Sequence, residues 1–360
     1  MKNQELSIII PVYNGENYIA GCLKNVLNQA NIDAYEIVVV NDGSTDDTPN
    51  IIKKFANKYR NIKVVSQPNM GLSMARNNGI GASCGKYVTF IDCDDLVGLN
   101  TTAFDTYFQS PANHKTYVGN LAIENVYDLS MDLQPEHFDN KYFVNMLHAA
   151  ADCDADVILG GKITINGAVP YLRRHAYVQD KVYGTSQEDK DIVLRQADVR
   201  ESANFALFSR KMLREKALRF SPSIIMYEDV VFCMLATLYS ERVATVKDST
   251  YFYNRRFDTL SNIRDDQENI AKSTIGNVQF FSMFMNELKK YPQYSSIICY
   301  WIHHFSKQGL MYSNGLMSEF PPKRCILGCH ETECTGCIIA EHVFDIARQN
   351  IATYRGGISY

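Results

Sequence analysis

The first hundred residues contain four short apolar segments that alternate with helical patterns, and each apolar segment ends in a polar turn. These apolar segments are residues 6–12, 36–40, 62–66 and 87–91. Between them, apolar residues recur at helical spacing or follow residues that commonly cap helices. Alternating strands and helices predict a mostly parallel sheet flanked by helices, joined by right-handed crossovers. The chain is therefore expected to be an α/β protein.

The fourth apolar segment leads directly into three carboxylates, Asp92, Asp94 and Asp95. Carboxylates this close repel one another, so they suit neither a core nor a helix. They are hard oxygen ligands of the kind that Mg²⁺ or Mn²⁺ prefers, and Mg²⁺ is usually held by one or two carboxylates plus substrate phosphates. The alternative at this point is an ordinary acidic turn.

Composition and charge exclude several classes of protein. The chain has 360 residues and a net charge of -4, which argues against a nucleic-acid binder. Its N-terminus lacks the layout of a signal peptide, and no apolar run approaches the ~20 residues that span a bilayer. We therefore expect a cytoplasmic protein, in which most of the 10 cysteines are reduced.

Four motifs in this region resemble those of family 2 glycosyltransferases, which have the GT-A fold. They are Pro11–Asn14, Asn41–Asp46, Gly71–Asn77 and Asp92–Asp95, and their order and spacing match the family over residues 5–98. The resemblance implies an inverting transferase with a nucleotide-sugar donor, usually a UDP-sugar. The acceptor would be a glycan or a lipid-linked saccharide of the bacterial surface-polysaccharide type.

The resemblance also implies roles for individual residues. Asp94 would coordinate the Mn²⁺ or Mg²⁺ that bridges the donor diphosphate, with Asp92 near the ribose and as a second candidate ligand. For Asp42 and Arg76, the alternatives are a turn cap and a surface cation. The full set of implied donor-binding residues is Pro11, Val12, Tyr13, Glu16, Asp42, Arg76, Asp92, Cys93, Asp94 and Arg255.

Two later segments complete the implied site. Glu228 and Asp229 match an acidic motif of the family, in which the Asp is the general base that deprotonates the acceptor hydroxyl. An acid that merely stabilises a helix N-terminus is the alternative, and both roles are compatible. Residues 243–262 predict an apolar strand, an aromatic strand and a basic loop, where Arg255 and Arg256 are the candidates to neutralise the leaving diphosphate.

The remaining segments are less closely tied to the family. Residues 142–161 predict a helix followed by a strand, and residues 202–220 resemble a helical segment of the family. The aromatic-rich insertion at about 100–140 is either an acceptor-side or interface loop, or a loop packed on its own small core. We expect a GT-A domain at residues 1–265 and a helical extension at residues 266–360.

The extension has two features of its own. Its aromatic run near residue 300 either packs on the catalytic domain or makes a peripheral contact with lipid headgroups at the inner face of the membrane. Four cysteines can hold a structural Zn²⁺, although their spacing is not that of a standard ribbon or finger. These cysteines are Cys325, Cys329, Cys334 and Cys337.

Two rival functions are weaker. A sugar-1-phosphate nucleotidyltransferase should have a Gly-rich, basic N-terminal loop, which residues 11–15 do not provide. A catalytically silent binding protein should have lost its acids, yet Asp42, Asp92, Asp94 and Asp229 are all present. The sequence therefore favours an inverting, metal-dependent glycosyltransferase.

Overall fold

A computed structural model of the protein describes residues 4–29, 34–98, 140–166, 173–175, 180–195, 202–222 and 228–255. The chain divides into two compact units, residues 1–220 with 232–257, and residues 221–231 with 258–360. The helical extension, its cysteine cluster, the domain boundary near 265 and nearly all of the 100–140 insertion lie outside the described residues. These expectations stay predictions.

The N-terminal part of the first unit is a parallel α/β arrangement. Its strands pair in the order β3-β2-β1-β4, all in parallel, which confirms the expected sheet. The strands are β1 (Leu6–Val12), β2 (Tyr35–Asp42), β3 (Ile62–Gln67) and β4 (Tyr87–Phe90), and the helices are α1 (Ile19–Asn28), α2 (Thr48–Lys58) and α3 (Leu72–Ala82).

The centre of this sheet is covered on both faces. Every residue of β1 is buried, and so is every residue of β2 after the first, which explains why most residues of both strands are apolar. Helix α3 lies directly on β1 because Gly79 has no side chain there; a Cβ at that position would collide with Ile9.

The later part of the chain extends the same sheet with antiparallel pairings. The sheet order is β3-β2-β1-β4-β9-β6-β10-β5, with β7 paired to β6 and β8 paired to β10. The new strands are β5 (Leu96–Val97), β6 (Val157–Asn166), β7 (Arg173–His175), β8 (Lys181–Tyr183), β9 (Ala206–Ser209) and β10 (Val243–Arg255). The new helices are α4 (Tyr142–Cys153), α5 (Gln187–Arg195), α6 (Arg210–Glu215) and α7 (Glu228–Tyr239).

Three sequence segments in this part of the chain had predicted elements that can be compared with the structure. The predicted helix and strand of residues 142–161 are confirmed as α4 and β6. In residues 202–220 the helix is only the short α6, and the preceding strand β9 was not anticipated. The two strands predicted after residue 243 are one strand, β10, with a register shift between Thr245 and Thr250. Strand β10 pairs with β8 before this shift and with β5 after it.

Aromatic side chains hold β4 in place from one face. Phe90 on β4 makes edge-to-face contacts with Phe220 and Phe232, at ring-centroid distances of 5.1 Å and 5.9 Å. Phe220 and Phe232 stack on each other at 4.0 Å. Because such pairs add to the free energy of burial, the strand that precedes the carboxylates is firmly anchored.

Two further properties concern the described residues only. None of the helices in these segments is both long enough and apolar enough to cross a membrane. The cysteines in the same segments are free thiols: Cys22, Cys84, Cys93, Cys153 and Cys233.

Candidate active site

The carboxyl ends of the parallel strands meet at one edge of the sheet, where ligands of α/β proteins commonly bind. Pro11 and Val12 are buried at the end of β1, whereas Tyr13 leaves the strand with 49% of its surface exposed. Asp42 ends β2, and residues 92–95 form the turn after β4. The fold thus brings three of the sequence motifs to the same edge.

The loops after β1 and β2 are joined by hydrogen bonds. Asn14, which has a positive φ of 49°, accepts a bond from the Thr45 N–H at 2.8 Å. Glu16 accepts from the Asp47 N–H at 2.8 Å, and its own N–H donates to Asp46 at 3.0 Å. In this structure Glu16 therefore connects the two loops, and its expected contact with the donor stays a prediction.

Asp42 is held by the loop that precedes α3. Its Oδ1 accepts bonds from Gln67 Nε2 and the Met70 N–H, both at 2.8 Å, and its Oδ2 accepts from the Gly71 N–H at 2.9 Å. Only 4% of Asp42 is exposed. These contacts are those of a cap on the loop, the structural alternative considered from the sequence. The expected contact of Asp42 with the donor stays a prediction.

Asp92 is oriented by a buried arginine and an asparagine. Its Oδ1 is 3.0 Å from Arg76 Nη2, and its Oδ2 accepts a bond from Asn204 Nδ2 at 2.7 Å. Arg76 is only 2% exposed, and its guanidinium lies 5.2 Å from the ring centroid of Phe220. The surface-cation alternative for Arg76 is therefore wrong, because the side chain is a buried counter-ion.

Asp95 is anchored by a phenol from the far end of the sheet. Its Oδ2 accepts a 2.5 Å bond from the hydroxyl of Tyr251 on β10, and the same hydroxyl accepts a 3.4 Å bond from the Asp92 N–H. Burial, together with the charges of Asp95 and Asp92, raises the pKa of Tyr251. Because the phenol stays protonated at neutral pH, it can donate to the carboxylate.

A buried thiol lies beneath the same turn. Cys22 Sγ is 3.9 Å from the carbonyl oxygen of Asp92, and burial, together with the charges of Asp95, Asp94 and Asp92, raises the pKa of the Cys22 thiol. The thiol therefore stays neutral and adds no negative charge to the cluster.

Asp94 and Cys93 lie between the two anchored carboxylates, and both are partly exposed. Hard carboxylate oxygens at Asp94 fit Mg²⁺ or Mn²⁺, whereas both oxygens of Asp92 already bind Arg76 and Asn204. Within the described segments no cluster of three or more His, Cys, Asp or Glu side chains can hold a metal by itself. A cation here would need oxygen ligands from a bound phosphate, which is the usual manner of Mg²⁺ binding.

Asp229 and Arg255 occupy the ends of later elements. Helix α7 begins with Glu228 and Asp229, and the Val230 N–H donates to Asp229 Oδ1 at 2.8 Å. The positive end of the helix dipole favours an ionised carboxylate at this position. These acids belong to the second unit, and Arg255 is the last residue of β10 in the first. Their roles in a reaction stay predictions.

Sequence reasoning missed Asn204 and Tyr251. They lie 112 residues beyond Asp92 and 156 residues beyond Asp95 in the chain, and no local pattern links such distant positions. The sequence offered one signal for Asn204, a polar residue beside an apolar run. It offered none for Tyr251.

The N-terminal part of the chain matches a known protein family. Residues 7–100 match the family model described as glycosyl transferase family 2. The putative glycosyltransferase EpsH of Bacillus subtilis is 42% identical over 97 residues, which is 27% of this chain and 28% of EpsH. The poly(ribitol-phosphate) beta-glucosyltransferase of Bacillus spizizenii is 27% identical over 252 residues, which is 69% of this chain and 32% of that protein.

The fold has a solved counterpart. The crystal structure of S. aureus TarS 1-349 in complex with UDP-GlcNAc covers 99% of this chain and 93% of its own, with a TM-score of 0.55 and 20% identity. This likeness confirms the expected GT-A fold. The chain spans less than a third of the length of the two curated relatives, so their full activities are not transferred with the fold.

Proposed function

We propose that this chain, whose residues 7–100 belong to glycosyl transferase family 2, transfers a sugar from a nucleotide-diphosphate donor to a hydroxyl group of a glycan or lipid-linked saccharide. The observation that carries the proposal is the 92–95 turn at the carboxyl end of β4, in which Asp92 and Asp95 are anchored on either side of Asp94. The UDP-GlcNAc bound to TarS supports a UDP-sugar as the donor.

The anchored carboxylates suit donor binding. Each oxygen of Asp92 has a second lone pair, so the carboxylate can accept a ribose hydroxyl while Arg76 and Asn204 fix its orientation. Asp94 would hold Mg²⁺ or Mn²⁺ together with the donor phosphates. A cation bound there supplies positive charge to the departing diphosphate. Arg255 would add a second positive charge on that group.

The proposed chemistry is a single displacement at the anomeric carbon. The acceptor oxygen forms a bond to that carbon while the bond to the diphosphate oxygen breaks, which inverts the configuration. Asp229 takes the hydroxyl proton as the new bond forms. The electron pair leaves with the nucleoside diphosphate, and the transition state has oxocarbenium character.

The acceptor class follows from a relative rather than from the site. The B. spizizenii protein is named for a poly(ribitol-phosphate) acceptor, and its match covers 69% of this chain. We therefore include phosphodiester-linked polymers among the proposed acceptors. A cytoplasmic location is the expectation that accompanies a nucleotide-sugar donor.

Metal-dependent donor binding tests the proposal. We expect calorimetry to detect binding of UDP-sugars only when Mn²⁺ or Mg²⁺ is present. Asp94→Ala should abolish this binding, because one ligand of the cation is lost. Asp152→Ala removes an exposed carboxylate from the end of α4 and serves as the matched control.

Two results would contradict the proposal. Undiminished metal-dependent binding in Asp94→Ala would rule out that residue as the ligand. Formation of a nucleotide-sugar from a sugar 1-phosphate and a nucleoside triphosphate, with release of pyrophosphate, would instead favour a nucleotidyltransferase.

A further inference from the structure

A second concave site lies at the opposite edge of the sheet, where β1 and β4 begin. It is a pocket of about 350 Å³, and we call it the basic pocket because its lining includes four cations. These are Lys86, just before β4, and Arg210, Lys211 and Arg214 on α6; among the described residues that line the pocket, the only carboxylate is that of Glu5.

Backbone hydrogen bonds hold the walls of the basic pocket together. The Lys86 N–H donates to the Gln4 carbonyl at 2.9 Å, and the Arg210 N–H donates to the Lys86 carbonyl at 3.0 Å. The Arg210 side chain donates to the carbonyls of Gly85 at 2.6 Å and Cys84 at 3.1 Å. Three segments distant in sequence therefore form a preformed site, which lowers the entropic cost of binding a ligand.

Among the described residues, salt bridges do not neutralise the positive charge of the pocket. None of its four cations forms a salt bridge with another residue that the structure describes. Lys86, Lys211 and Arg214 are exposed, and they are concentrated here although the whole chain has a net charge of -4. A concave surface with one sign of charge attracts the opposite charge, and guanidinium groups pair well with phosphate oxygens.

The position of the pocket limits which phosphate it can bind. Strand β1 has seven residues, so its two ends are about 20 Å apart. A donor diphosphate at the 92–95 turn therefore cannot reach the basic pocket. A polymer that carries a phosphate in every repeat can contact both edges of the sheet at once.

We infer that the basic pocket binds phosphodiester groups of a polymeric acceptor, away from the unit that receives the sugar. This inference rests on the proposed function, because it assigns a second contact to the proposed acceptor. A second contact raises the effective concentration of the acceptor at the first. Longer acceptors should then have a lower KM than short ones.

An anionic membrane is the other source of clustered phosphates, and the structure favours the polymer. A membrane-binding surface combines cations with exposed apolar side chains. The large apolar side chains exposed in the described segments do not line the basic pocket. They are Tyr13, Val64, Met70, Leu72, Val182 and Ile192.

Direct binding of inorganic polyphosphate to the full chain tests the inference without any sugar donor. We expect the double variant Lys211→Gln/Arg214→Gln to bind labelled polyphosphate at least about tenfold more weakly, because two phosphate contacts are lost. The matched control is Lys53→Gln/Lys54→Gln, which removes two exposed cations from α2 and should change the affinity less than about twofold.

Three outcomes would overturn the inference. In the first, polyphosphate binds neither the wild-type chain nor the pocket variant, Lys211→Gln/Arg214→Gln. In the second, both double variants weaken binding equally, which indicates only general attraction between charges. In the third, the pocket variant loses binding to phosphatidylglycerol vesicles while it keeps full affinity for polyphosphate. That result would make the pocket a membrane contact.

A kinetic measurement separates this inference from the proposed function. The pocket variant should raise KM for a long phosphodiester acceptor, leave KM for a single repeat unit unchanged, and leave kcat unchanged for both. Equal KM changes for both acceptors would contradict a second contact. If the wild-type chain binds polyphosphate through the pocket but turns over no sugar donor, the proposed function fails while the anion site stands.

Discussion

At the scale of single residues, the candidate site brings together carboxylates that would otherwise repel one another. Arg76 supplies a buried positive charge to Asp92, while Asn204 and Tyr251 supply neutral donors to Asp92 and Asp95. Removing one partner from such a cluster leaves a buried charge with fewer hydrogen bonds, which costs more than the bond contributes on average. The donors are therefore as important to the site as the acids.

Two buried tyrosines provide a matched test of this view. Tyr251→Phe removes the donor to Asp95 and should lower the free energy of unfolding by about 1–3 kcal/mol, measured by urea denaturation. Tyr142→Phe is the control, because its buried hydroxyl makes no hydrogen bond within the part of the chain that the structure describes, and its loss should be neutral or stabilising. Equal effects of the two changes on the free energy of unfolding would show that the hydrogen bond to Asp95 does not stabilise the fold.

The proposed base gives a second prediction for a single residue. Asp229→Asn keeps the size of the side chain and its place at the start of α7, but the amide cannot take a proton. Transfer should fall by about 10² or more while donor affinity, measured by calorimetry, stays nearly constant. A parallel loss of donor affinity would make Asp229 a donor ligand or a structural cap instead.

At the scale of elements, a buried lysine joins two helices. Lys190 on α5 is 2% exposed, and its ammonium donates to the carbonyls of Thr237 and Ser240, at the C-terminal end of α7. A cation at that end is favourable because the helix dipole is negative there. Lys190 thereby fixes the far end of the helix that begins with Glu228 and Asp229.

This contact predicts an unusual dependence of stability on pH. Burial lowers the pKa of Lys190 to about 8, whereas that of an unfolded lysine is about 10.4. Between these values the unfolded chain binds more protons, so the contribution of Lys190 to folding rises with pH. The gain in unfolding free energy should not exceed about 3 kcal/mol.

Denaturation from pH 7 to pH 10.5 checks this expectation. The difference in unfolding free energy between wild type and Lys190→Met should grow across the range. Lys53→Met, at an exposed position on α2, should differ from wild type by a constant amount. A constant difference for Lys190→Met as well would show that the ammonium is not buried in solution.

At the scale of the whole molecule, some elements of the first unit were predictable from the sequence and others were not. The strands β1 to β4 and their helices were predictable because each is a continuous apolar run or an amphipathic pattern bounded by turn residues. Strand β9 was missed because it runs directly into α6, with no turn residues between them to mark the end of a strand. The partners of Asp92 and Asp95 were missed because sheet pairing brings together residues more than a hundred positions apart.

The same long-range pairing predicts that residues 1–98 do not fold alone, although they contain nearly all of the family match. In that fragment β4 lacks β9, and the core lacks Tyr142, Phe143, Tyr251 and Phe252. We expect no cooperative thermal transition by circular dichroism, against a clear transition for the full chain. A cooperative transition in the fragment would contradict this dependence.

The position of β9 between β4 and β6 has a consequence for protein synthesis. The ribosome synthesises β1 to β4, which lead into the donor motifs, before it synthesises β9, the partner strand of β4. One edge of β4 stays open to wrong partners until residues 206–209 leave the exit tunnel, and the hydroxyl that anchors Asp95 is absent until Tyr251 follows. The nascent chain is thus exposed to misassembly during most of its translation, and slower delivery of residues 99–205 would lengthen that interval.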